Sequence, residues 1–149
     1  MKLWGDKTVS WFDIWSIEHF VAGMTLVSIM YPLFQRCCNN YLEMDSEKKA
    51  VFINAGMLLV TLFLAYFWET IEHYAENGST GIDAVTYWFQ GVEFWGNRII
   101  TDPFLVFAGG IVAIRNPSIR WPARVFSHTW VFTHVCVFPH SMYLHQLYF

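Results

Sequence analysis

The chain has 149 residues, of which 55% are hydrophobic, 19% aromatic and 14% charged, and its formal net charge is -3. A soluble domain carries about 25% charged residues, so this composition argues against a soluble enzyme, a disordered chain and a basic nucleic-acid binder, and no nucleic-acid partner is expected. Cys37, Cys38 and Cys136 are too few for a disulfide framework and lack zinc-site spacing.

A spanning helix needs about 20 mostly apolar residues, and four stretches approach that length. The first covers about 12–34; its apolar part follows Glu18 and His19, and Pro32 predicts its end. Because Asp13 and Glu18 precede the apolar run, it reads as a retained anchor rather than a secretory signal. The second, 51–74, is the clearest: Val51 to Trp68 holds no charge and one strongly polar residue, Asn54, before the polar end WETIEHY. The third, 86–114, carries Glu93, Asn97, Arg98 and Asp102 in its first half and an apolar, glycine-containing second half, so the other helices are expected to wrap it. The fourth, 125–148, has no fully charged residue but contains four histidines and Pro139. These stretches predict an all-α integral membrane bundle of four transmembrane helices, one domain over 1–149, with short linkers at 35–50, 75–85 and 115–124.

Basic residues are retained on the cytoplasmic side of membranes. Arg36, Lys48 and Lys49 in the first linker and Arg115, Arg120 and Arg124 in the third outweigh Lys2 and Lys7. Loops 35–50 and 115–124 are therefore expected to be cytoplasmic and both termini extracytoplasmic, in a cell inner membrane. Six tryptophans (Trp4, Trp11, Trp15, Trp68, Trp88 and Trp95) map to the same outer end, as an interfacial belt does.

This topology brings distant polar residues to one depth. Asp13, Glu18 and His19 begin helix one; Glu69, Glu72 and His73 end helix two; Glu93, Asn97 and Arg98 begin helix three. On helix two Glu72 and His73 lie three and four residues after Glu69, so all three share a quadrant, and Glu93 and Asn97 repeat the four-residue spacing. Ala22 and Gly23 allow a neighbouring helix to approach His19. Asp102, about 140° from Asn97 on an ideal helix, joins only if the helix is broken, and Pro103 favours a break.

Ionisable residues inside a span are costly and mark function by default. His19, Glu69, Glu72, His73 and Glu93 are the candidate metal ligands, with oxygen and nitrogen donors suited to zinc, manganese or iron. His19, Glu69, His73, Glu93 and Asn97 are the candidate catalytic groups, and Arg98 and Asp102 the candidate substrate-binding groups, Arg98 as an anion clamp. The leading expectation is a membrane enzyme acting on a lipid-linked or amphipathic substrate. An ion- or proton-binding transport module is an alternative, as is an accessory subunit that forms homo- or hetero-oligomers through aromatic helix faces. The same groups can also pair among themselves and serve packing alone. His128, His134, His140 and His145 are spaced six, six and five apart, and packing or interfacial roles are expected of them.

The order of elements resembles the VanZ-like family of small membrane proteins. The motifs are Asp13 followed by His19-Phe20-x-x-Gly23, Glu69-x-x-Glu72, and Asn97 and Asp102 ahead of Gly109-Gly110. The resemblance spans about 13–114 and implies fold more than activity.

Overall fold

The computed structural model describes residues 2–138 and 140–148. Met1, Phe149 and Pro139, the last expected within the fourth helix, lie outside the described residues. Among the described residues the fold is all-α apart from one short parallel pairing of β1 (Lys2–Trp4) with β2 (Ser10–Phe12). Asp13 then caps α1 (Ile14–Tyr41): its carboxylate accepts the Trp15 and Ser16 N–H groups, and Ser16 Oγ accepts the Asp13 N–H. Such a cap contributes about 1 kcal/mol.

Pro32 does not end α1, which continues to Tyr41. A proline deprives the carbonyl four residues earlier of its donor, here that of Ser28. Arg124 supplies the replacement, donating Nη2–H to Ser28 O and Nε–H to Ser28 Oγ. The first linker is correspondingly short, because Asp45 caps α2 (Ser46–Glu76) through the Lys48 N–H.

The third expected helix is not continuous. Gln90 (φ 58°) and Gly91 (φ 106°) are left-handed and stop α3 (Asp83–Phe89). The chain resumes in a π turn at Asn97–Thr101 that leads into α4 (Asp102–Arg115). The fourth expected helix is also interrupted. A 3-10 turn (Pro117–Ile119) opens α5 (Arg120–Phe132), which is followed by a π turn (Thr133–Val137) and then by α6 (Tyr143–Tyr148). Arg120 and Arg124 thus belong to α5 rather than to a linker.

Among the described residues, three helices are long and apolar enough to cross a membrane: Ile14–Tyr41, Ser46–Glu76 and Asn97–Arg115. The region after Pro117 is not among them. On α2, Leu59 and Phe63 are 68% and 67% exposed, which suits a lipid-facing surface rather than a water-facing one. Met24, Val27, Ile53, Met57 and Ala113 fill the bundle in the half away from the polar residues.

The closest crossing joins α1 to α4 by reciprocal glycines. A Cβ on Gly23 would lie 1.9 Å from Val106 O, and one on Gly109 would lie 1.9 Å from Phe20 O. Only glycine permits such backbone approach. His19 stands one turn before Gly23 and Asp102 one turn before Val106, so the crossing sets those two side chains face to face.

Candidate functional site

The site grows from the outer end of α2, where Glu69, Glu72 and Glu76 follow one another at helical spacing on one face. Glu69 and Glu76 are buried, and Glu72 is half-buried. From α1, the His19 ring sits between two carboxyl groups, with Nδ1 3.7 Å from Glu69 Oε1 and Nε2 3.3 Å from Asp102 Oδ2.

Asp102 reaches this position through the π turn. Its N–H bonds to Asn97 O, five residues back, and the wider turn brings the two side chains to one side of the helix. Both are fully buried. Asn97 Nδ2 donates to Glu93 Oε1 at 2.7 Å and to Asp13 Oδ2 at 3.2 Å. The amide thereby orients two carboxyl groups from different elements.

Two cations balance part of this charge. Arg98 pairs with Glu76 and lies 3.7 Å from Glu93. Lys7 extends inward from the loop between β1 and β2 to within 2.8 Å of Glu76 Oε2 and 3.9 Å of Glu72 Oε1, with its ammonium above the Phe89 ring. Arg98, expected as an anion clamp, is thus engaged by protein carboxylates. His73, expected beside Glu69, lies on the exposed side of α2, where its Nδ1 is 3.0 Å from Arg98 Nη1.

Burial raises the Asp13 carboxyl above its ordinary range, against the N–H bonds it accepts from Trp15 and Ser16. Burial also pushes Glu93 from its ordinary 4.5 up to about 8, with the charges of Glu72 and Asp13 acting in the same direction. Two sets of donors converge: His19, Glu69 and Glu72, and Glu69, Glu93 and Asp102. Within each set the ligand atoms lie within 4.8 Å of one another. Glu69, which belongs to both, is 3% exposed, and neither of its oxygens has a hydrogen-bond partner among the described residues. Glu93 Oε2 and Asp102 Oδ2 likewise accept no hydrogen bond among the described residues, their contacts being the longer ones to Arg98 and His19.

A cavity of about 480 Å³ opens beside His19 and Glu72; its other walls include Trp15, Leu26, Leu64, Trp88 and Val106. Its volume falls within the range of small-molecule sites, about 300–1,000 Å³. Glu18 lines the same cavity and accepts the Ser127 hydroxyl. None of the four histidines after Val125 belongs to either donor set. His134 packs between Trp15 and Trp130 and bonds through Nδ1 to Trp130 O.

Sequence reasoning missed Glu76 and Lys7. Glu76 was signalled, since it continues the Glu69 and Glu72 stripe by four residues. Lys7 was not, because no periodicity before Asp13 indicates a loop folding back on the bundle. No family model matches the chain, and no curated protein or solved structure does either.

Proposed function

We propose that the protein is a membrane-embedded, metal-dependent enzyme that acts on an amphipathic or lipid-linked substrate. Glu69 carries this reading: a carboxyl group buried without a hydrogen bond on either oxygen is costly, and a cation held with His19 and Glu72 compensates it. The metal class is zinc, manganese or iron, given mixed carboxylate and imidazole donors.

When bound, such an ion lowers the pKa of its water to about 7 and polarises an ester or phosphoryl oxygen. The protein's own groups do the rest. Asp102 fixes the His19 ring through Nε2, Asn97 holds the Glu93 carboxyl in place, and His19 and Glu72 would present the ion to the cavity that they line. The apolar cavity walls take the substrate's chain while its polar part meets His19 and Glu72. Met24, Val27, Ile53 and Met57 pack into one apolar cluster between the helices, which favours an enzyme over a conduit.

The proposal includes a fourth membrane segment formed by α5 and the turn after it, and an orientation with both termini and the site outside the cytoplasm. It also includes VanZ-like kinship, supported by the fact that the residues carrying that resemblance, from Asp13 and His19 to Asn97 and Asp102, line or adjoin the cluster.

Elemental analysis of detergent-purified wild type and Glu69→Gln tests the reading. Bound transition metal in wild type, lost in the variant, is the expected result. Wild type without metal, and with no rise in melting temperature on adding zinc, manganese or iron, would overturn it.

A further inference from the structure

Four carboxyl groups at the site exceed what its cations balance. Lys7 and Arg98 both engage Glu76 closely, and their other contacts, to Glu72 and Glu93, are 3.9 and 3.7 Å. Asp13 is satisfied by the Trp15 and Ser16 N–H groups and the Asn97 amide. Setting Asp13 and Glu76 against the two cations leaves Glu69, Glu72, Glu93 and Asp102. These are the four carboxyl groups of the two converging donor sets, which meet only at Glu69.

We propose that the site holds two divalent transition-metal ions side by side, one by His19, Glu69 and Glu72 and the other by Glu69, Glu93 and Asp102, with Glu69 as the shared carboxylate. The proposal rests on the metal-dependent reading above and extends it. Two divalent ions match the four remaining negative charges, and a bridging carboxylate uses both Glu69 oxygens, which the protein leaves without hydrogen bonds. Glu93 Oε2 and Asp102 Oδ2 likewise accept no hydrogen bond among the described residues, with Arg98 Nη2 3.7 Å from the one and His19 Nε2 3.3 Å from the other, so the second set also keeps donor oxygens for a ligand. Helical bundles that supply carboxylates and histidines from facing helices hold metal pairs in this manner. Two such ions would suit hydrolysis of an ester or phosphoester, in which a water oxygen bonds to the acyl carbon or phosphorus, the bond to the alkoxide breaks and the water's proton passes to the departing oxygen.

The competing arrangement is a single ion on His19, Glu69 and Glu72, with Asp102 serving only to orient the imidazole, as carboxylates behind metal-bound histidines do. Stoichiometry separates the two. Intact-protein mass spectrometry under native conditions, with manganese(II) as the probe, is expected to find two ions per chain in wild type and one in Asp102→Asn and in Glu93→Gln. Electron paramagnetic resonance of manganese-loaded wild type is expected to show an exchange-coupled pair, replaced in both variants by the hyperfine pattern of isolated manganese. One uncoupled ion in wild type would overturn the two-ion centre and leave the metal-dependent reading standing. No bound ion in wild type would overturn both, and because these readings come from the unaltered protein they do not depend on how a variant folds.

Discussion

Two prolines sit in spanning helices, and at each the carbonyl that loses its donor finds a side chain. Ser28 O accepts Arg124, and Ile99 O, four residues before Pro103, accepts the Tyr66 hydroxyl at 3.1 Å. In hydrocarbon an unsatisfied carbonyl has no water to turn to. Replacing Arg124 with Met is expected to cost about 1–3 kcal/mol, the price of an orphaned buried acceptor. In a Pro32→Ala background, where a backbone donor returns, the same change is expected to cost much less; thermal unfolding of the four proteins in detergent would reveal the coupling. Equal costs in both backgrounds would refute this role for Arg124. Pro32 misled sequence reasoning for the same reason, since the donor that compensates Ser28 lies on another helix, 96 residues beyond Ser28. Glu93 supplies a second test. A carboxyl whose pKa rises on folding keeps its proton longer in the folded state, so stability is lost as pH increases from about 4.5 to about 8. Chelator-treated wild type is expected to show that falling slope in melting temperature, and Glu93→Gln to show it flattened.

At the level of elements, α1 and α4 are positioned by Gly23 and Gly109, and His19 and Asp102 inherit their alignment from that crossing. Gly23→Ala is expected to lower stability by about 1–3 kcal/mol, because its methyl group would collide with a backbone carbonyl that cannot rotate away. It is also expected to reduce metal content, since His19 and Asp102 separate; a variant that melts lower yet binds metal fully would show that the crossing does not set the site. The α2 contribution was legible from sequence because a regular helix turns spacing directly into direction, which made Glu69 and Glu72 readable. The α4 contribution was only half legible. Pro103 announced an irregularity, but whether it would bring Asp102 toward Asn97 depended on a π turn that spacing does not encode. Between α3 and α4 the reading failed because aromatic residues on both sides, Tyr87 to Phe89 and Phe94 to Trp95, read as one helix across Gln90 and Gly91, where the backbone turns left-handed.

Across the whole molecule, the N-terminal loop and the bundle form one electrostatic unit. Lys7 is 2% exposed and pairs with a carboxylate that is also buried. Removing Lys7 leaves Glu76 its pair with Arg98 but takes away one of its two cations and the ammonium near Glu72, so the cost falls below about 3–5 kcal/mol, the figure typical of a buried charge left wholly unpaired. Lys7→Met is therefore expected to lower the melting temperature, and Glu76→Gln, which unpairs both Lys7 and Arg98, to lower it further. A melting temperature unchanged by Lys7→Met would show that the loop does not contribute to the site. Orientation belongs to this scale too: a cysteine placed at Ser79 is expected to react with an impermeant reagent added outside intact cells, and labelling only after lysis would invert the assignment.

The reciprocal glycine crossing also bears on how the protein is made. Ribosomes deliver α1, then α2, and only later α4, yet α1 packs most extensively against α4. A newly inserted α1 therefore carries His19 and Glu18 into the bilayer while Asp102 and Ser127 are still untranslated. The nascent helix needs shelter during that interval, whether from the insertion machinery or from a chaperone, and a chain truncated before Asp102 becomes a natural substrate for membrane quality control.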